Sequence, residues 1–210
     1  MKNKFYLILV TLIFLLSACE EDKNPPKVDL SQNTSTDIQT KTLVKPKPQN
    51  EKPAIVYNYK FENLQKQISL LEIRNDIYNF KNIQQPIVIV NVMSTWCPPC
   101  RGQIPHLSKL QQKFKENLFV MATLVHDDIS SKKLNKFIIA QKMLFYIAVN
   151  QNENLKFLNM LTPKLGLNKD FPMPLSIVFV KGKYFTHYEG MIPEEMIESD
   201  IKQLLQKIKK

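Results

Sequence analysis

Pro86-Ile-Val-Ile-Val-Asn-Val-Met93 runs through Ser94 and Thr95 into Trp96-Cys97-Pro98-Pro99-Cys100, and this stretch decides the fold. A continuous β-branched run marks a strand buried on both faces, as in a parallel or mixed sheet. Beyond the cysteines, Ile104, Leu107, Leu110 and Phe114 recur at spacings of three and four. That places them on one face of a helix running to about Lys115, with Pro105 expected to kink it early. A cysteine at such a strand-to-helix junction lies at the positive end of the helix, whose dipole and free N–H groups favour thiolate over thiol. Cys97 is therefore the expected nucleophile. Cys100, one turn inward, is placed to attack a mixed disulfide on Cys97 and release the reduced partner.

Outward from this core the pattern alternates. Leu118 to Val125 reads as strand, Ser131 to Met143 as helix, Leu144 to Val149 as strand and Glu153 to Leu165 as mostly helix, a βαβα order. Pro174 to Val180 is a further apolar strand, with Lys181-Gly182-Lys183 as a tight turn and Tyr184 to Glu189 as its hairpin partner. The last helix is expected to take Pro193 as its first residue and to bury Met196, Ile197, Ile201, Leu204, Leu205 and Ile208. Upstream, Ile55 to Phe61 and Gln67 to Leu71 read as short strands, and Ile73 to Phe80 as a short helix or irregular segment.

A chain of 210 residues fits one domain plus appendages. Phe5 to Leu16 is apolar but falls short of the ~20 residues a spanning helix needs. With Lys2 and Lys4 before it and small residues after it, residues 1–18 read as a signal peptide. Leu16-Ser17-Ala18-Cys19 resembles a lipobox, which would acylate Cys19 and anchor the protein to a lipid bilayer. An uncleaved signal anchor, or a secretory signal with a chance cysteine, are the alternatives. Residues 19–54 are polar and proline-rich and read as a disordered tether, leaving 55–210 as the folded domain.

Export makes the cysteine count informative. Of three cysteines, lipidation of Cys19 removes one and leaves the pair Cys97 and Cys100. The loop they close is too short for much entropic stabilisation, so a reactive pair is the better reading. Half of a zinc site is the alternative, but zinc takes four ligands and no second cysteine pair exists, so no metal is expected. His106, His126 and His187 read as surface or packing residues, and His126-Asp127-Asp128 as a solvated loop. The formal charge is +10. Lys2 and Lys4 account for two of these, and the tether is neutral, so the excess lies in the domain. With no basic cluster interleaved with aromatics, a nucleic-acid partner is not expected. Solubility, anionic headgroups or acidic partners fit the charge better.

Trp96-Cys97-Pro98-Pro99-Cys100 after a Val/Ile strand, Pro105 eight residues beyond Cys97, and Met173-Pro174 before a later strand together resemble the thioredoxin superfamily. The W-C-P-P-C form and membrane anchoring are similar to its TlpA/ResA-like branch of extracytoplasmic thiol-disulfide oxidoreductases. The resemblance runs from about Ile55 to the C-terminus. It implies an α/β, thioredoxin-like fold: a central mixed β-sheet flanked by helices, with an extra N-terminal segment and a βα insertion. It also implies reduction of disulfides in exported proteins, apocytochrome c being one substrate class. No cofactor beyond the Cys97–Cys100 disulfide is implied, and an inner-membrane thiol donor is the implied electron source.

Residue by residue, the resemblance puts a cis-proline at Pro174, with the Met173 backbone free to pair with an extended substrate; a trans proline ending the loop is the alternative. Two positions depart from the pattern. Asn91 stands where thioredoxin has a buried aspartate, and Gln103 where many TlpA/ResA-like proteins have a glutamate, so no carboxylate proton acceptor for Cys100 is evident. Neither Pro98 nor Pro99 can donate an N–H to the Cys97 thiolate, which favours a reducing disulfide. Trp96 either shields the nucleophile and meets partners, or packs in the core. Competing functions are a dithiol oxidase or isomerase, a Cu(I) carrier using the same cysteines, and a non-catalytic binding module.

Overall fold

The computed structural model describes residues 54–168 and 170–209. The expected signal peptide 1–18, Cys19 and all but the last residue of the tether 19–54 lie outside the described residues. Among the described residues, no helix is long and apolar enough to cross a membrane.

Alternating apolar residues build the first strands, β1 (Val56–Glu62), β2 (Ile68–Arg74) and β3 (Ile77–Phe80), which form an antiparallel sheet in that order. The strand β3 corrects the expectation of a helix or irregular segment there. Asn75 and Asp76 take left-handed φ values of 50° and 58°, the two-residue turn whose twist suits a hairpin. Beyond it Ile73 pairs with Tyr78 and Leu71 with Phe80.

A second sheet follows. β4 (Ile87–Met93) leads into α1 (Pro98–Lys113), then β5 (Leu118–Leu124), α2 (Ser131–Ala140), β6 (Tyr146–Ala148) and α3 (Gln151–Leu161). A 3₁₀ turn at Thr162–Leu165 continues α3, and β7 (Leu175–Val180), β8 (Lys183–Glu189) and α4 (Glu194–Ile208) complete the chain. The strand order is β6-β5-β4-β7-β8, with β4, β5 and β6 parallel and β7 and β8 antiparallel to their neighbours. This is the expected mixed sheet flanked by helices, and β6 with α3 supplies the added βα unit. Lys181 and Gly182 make the β7–β8 turn with φ of 47° and 74°. Ser130 and Asn150 cap α2 and α3 by accepting the Lys133 and Glu153 N–H. Pro193 is the N-cap of α4 rather than its first residue.

All of β4 is buried, so its two faces meet two different layers. Val88, Val90 and Val92 pack with Leu175, Ile177 and Phe179 of β7 against the three-stranded sheet and Phe157, Leu158 and Leu161 of α3. Phe157 stands edge-on to Tyr59 and Phe61, with ring centroids 5.3 and 5.4 Å away. The N-terminal strands therefore cover one face of the central sheet instead of extending its edge. Ile87 and Ile89 face α1 and α4 with Leu107, Leu110, Ile197, Ile201 and Leu204. Met196, expected in that buried stripe, is 54% exposed; Ile197 beside it takes the inward position.

Candidate functional site

Both cysteines lie where β4 hands the chain to α1. Cys97 is the N-cap of α1, Pro98 and Pro99 occupy its first turn, and that turn holds no carboxylate. The positive helix end is thus left to Cys97. Cys97 and Cys100 form a disulfide with Cα atoms 5.3 Å apart, and the Cys100 N–H donates to Cys97 Sγ at 3.3 Å. Cys97 keeps 4% exposure and Cys100 1%. Beneath them lie Met93, Ile104, Ala122, Leu124 and Leu134, an apolar floor.

The peptide Met173-Pro174 is cis, and the Met173 carbonyl oxygen lies 3.9 Å from Cys97 Sγ. Trp96, 56% exposed, does not pack in the core; its indole Nε1 donates to the His126 carbonyl at 2.8 Å. The structure thus brings Trp96, Met173 and Pro174 to the disulfide, and of the two readings for Trp96 it keeps the exposed one.

The two amides that replace carboxylates are both buried. Asn91 sits in β4 on the same face as Ile89 and Met93, and donates from Nδ2 to Ser176 Oγ at 2.8 Å. Gln103 on α1 accepts the Ile192 N–H at 2.8 Å through Oε1, while its Nε2 is buried without a partner. The Met191 sulfur lies 2.6 Å from the point where a Cβ on Gly102 would stand, so α1 and the β8–α4 loop meet closely here. Among the described residues no three His, Cys, Asp or Glu side chains gather as metal ligands.

Sequence reasoning missed a second set of residues. Asp127, expected in a solvated loop, is 4% exposed. Its carboxylate accepts the Thr95 N–H and, at 2.9 Å, the Thr95 hydroxyl. Gln151 holds the Asp127 backbone by accepting its N–H at 2.8 Å and donating to its carbonyl. Arg101 Nε donates to the Thr95 carbonyl at 2.6 Å, with the guanidinium 5.7 Å from the centre of the Phe137 ring. A polar loop carboxylate reads as solvated; its burial here depends on partners 32 and 24 residues away.

With this geometry in place, comparison with known proteins gives a consistent picture. The model of the AhpC/TSA family matches residues 60–183. Thiol-disulfide oxidoreductase ResA of Bacillus thuringiensis is 24% identical over 125 residues, 59% of this chain and 66% of that protein. The match thus spans just under two thirds of that relative's length. Thioredoxin-like protein YneN of Bacillus subtilis is 31% identical over 85 residues, 40% of this chain and 42% of that protein. Among solved structures, a thiol:disulfide interchange protein of the thioredoxin family from Chlorobium tepidum superposes with a TM-score of 0.56. Its identity is 16%, over 74% of this chain and 99% of that one, a likeness of fold. The fold is thioredoxin-like, as the strand order and the cysteine position suggest.

Proposed function

The chain belongs to the AhpC/TSA family, and from that membership and the disulfide at the head of α1 we propose that it is an extracytoplasmic thiol-disulfide oxidoreductase that reduces disulfides in exported proteins. The observation carrying this reading is the Cys97–Cys100 pair itself, with Cys97 at the N-cap and the Met173 carbonyl beside it. Membrane attachment through an acylated Cys19 completes the proposal, with apocytochrome c among the client classes and a membrane thiol donor as electron source.

In the reduced protein the Cys97 thiolate attacks a client disulfide. One client sulfur leaves as thiolate and the other stays bonded to Cys97. The Cys100 sulfur then attacks Cys97 Sγ, re-forming the intramolecular disulfide and releasing the second client thiolate. Two electrons pass to the client, whose two thiolates take up two protons, while solvent makes up the balance beyond the one that Cys100 releases. Since Asn91 and Gln103 are amides, that proton passes to water or to the departing client thiolate. An external dithiol then restores the reduced pair.

The direction of transfer follows from the first turn of α1. Pro98 and Pro99 lack an N–H, and the Cys100 N–H is the backbone donor to Cys97 Sγ. A thiolate with so few donors is weakly stabilised, which makes the disulfide more reducing. Titrating Trp96 fluorescence of the full chain in thiol-disulfide buffers tests this, Trp96 being the only tryptophan. A potential near about −270 mV is expected, whereas one near about −120 mV overturns the reductase reading in favour of an oxidant. Cys100→Ala should accumulate mixed disulfides with clients through Cys97.

A further inference from the structure

We propose that Asp127 is a positioning residue for Cys97, acting through Thr95. The inference rests on reading Cys97 as the attacking thiol. Cys97 has no regular structure on its N-terminal side: Ser94, Thr95 and Trp96 lie between the end of β4 and the start of α1. A segment like this would ordinarily be mobile, yet two consecutive residues are held at four points. The Asp127 carboxylate takes both the N–H and the hydroxyl of Thr95. Arg101, from α1 itself, takes the Thr95 carbonyl, and the His126 carbonyl takes the Trp96 indole N–H. Both anchors after β5 are adjacent residues, and His126 adopts a left-handed φ of 51°, a conformation uncommon outside glycine that turns the chain here. Gln151, the first residue of α3, fixes Asp127 from behind through its backbone N–H and carbonyl.

The arrangement is a chain of supports. α3 fixes Asp127, Asp127 fixes Thr95, and Thr95 fixes the φ and ψ of −80° and 113° with which Cys97 caps α1. Cap geometry decides whether the sulfur meets the free N–H groups of the first turn. With two prolines in that turn, Cys97 depends on the Cys100 N–H at 3.3 Å, and a small displacement removes it. Both carboxylate oxygens of Asp127 are engaged by Thr95, so its role is to hold the loop rather than to take a proton from the thiols.

The deciding experiment measures iodoacetamide labelling of Cys97 in the reduced full-length chain at pH 6.5, read by fragment-resolved mass spectrometry. Thr95→Val keeps the shape and removes the hydroxyl while leaving the carboxylate charge in place. Labelling is expected to slow about fivefold or more, as thiolate is lost to a raised Cys97 pKa. Thr95→Ser, which keeps the hydroxyl, is expected to label within twofold of the natural sequence. In an Asp127→Asn background the Thr95→Val change is expected to matter less than twofold, because both substitutions break one contact. Labelling of Thr95→Val within twofold of the natural protein overturns the proposal, and so does an equal loss in both backgrounds. Should Asp127→Asn not fold, Thr95→Val and Thr95→Ser decide alone. Failure to reduce any protein disulfide, with the labelling pattern as expected, removes the proposed function and supports the clamp.

Discussion

Replacing Asn91 by aspartate puts a carboxyl group where only 1% of the residue is exposed, on a strand face lined by Ile89 and Met93 and opposite Ala122 of β5. Ser176 Oγ is the polar neighbour in hydrogen-bond contact, and a single hydroxyl cannot replace the hydration of an anion. Fully buried carboxyls have pKa values raised by up to 3–5 units; with Ser176 as a donor, a rise of about three is reasonable, worth ~4 kcal/mol. The sign follows from linkage. Below about pH 4 the group is protonated in both folded and unfolded chains, and the charge adds nothing to the cost. Between about pH 4 and pH 7 the unfolded chain loses the proton first, so the variant weakens by ~1.4 kcal/mol per pH unit and then levels off. Urea unfolding of Asn91→Asp beside the natural protein, from pH 4.5 to pH 8.5, measures this gap. A gap that stays constant across the range refutes the reasoning, since it would mean the new carboxylate finds water or a cation at this site. In the same variant the rate of disulfide reduction should acquire a carboxylate limb, and the natural protein is expected to show none.

Phe157→Ala removes the ring that joins α3 to Tyr59 and Phe61 and should cost about 3–5 kcal/mol in chemical denaturation, as for other fully buried aromatics. Gly182→Ala should lower the melting midpoint by about 3–8 °C, because φ is 74° and the new Cβ would lie 2.9 Å from the Tyr78 carbonyl oxygen. Burial raises the phenol pKa of Tyr59, Tyr78, Tyr146, Tyr184 and Tyr188, with the Asp200 contact adding to the rise at Tyr188. Their protonated forms are kept in the folded state, so stability is full below about pH 10 and falls as pH rises past it. The phenolate absorbance contributed by the buried Tyr59 and Tyr78, isolated by comparison with their phenylalanine variants, should then develop together with loss of the circular-dichroism signal, and their ionisation well ahead of unfolding would count against these burials.

The central strand and the cysteine pair at the head of α1 were legible because their signals are local. A β-branched run running into two cysteines defines β4, the head of α1 and the position of Cys97 without help from distant residues. The βαβα order and the β7–β8 hairpin were legible for the same reason, with Lys181-Gly182 marking the turn. β3 escaped because a four-residue strand has too short a pattern to read, and its turn uses Asn-Asp without a glycine. Which apolar residue of α4 turns outward was equally hidden: Met196 and Ile197 are both apolar, and only the position of α1 decides between them. Asp127 shows the deeper limit. A carboxylate is buried only where specific donors wait for it; here they are the Thr95 N–H and hydroxyl from the loop after β4, while Gln151 of α3 holds the Asp127 backbone.

The strand order also governs how copies of this protein meet one another. Open edges of sheets recruit further strands, and natural proteins blunt them. Here one edge is β6, only three residues long, and beside it the Val149 N–H is taken by Glu62 of β1. The single Tyr146 hydroxyl proton is shared between the Phe61 and Gln67 carbonyl oxygens, each 2.7 Å away. The other edge, β8, bulges at Phe185, where the pairing steps from Val178–Thr186 to Phe179–Tyr184, and just before it the Tyr78 N–H meets the Gly182 carbonyl at 2.6 Å. The β6 border therefore offers no long, flat ladder of free amides. Under the proposed function, an extended client polypeptide pairs instead at the Met173 backbone beside Cys97.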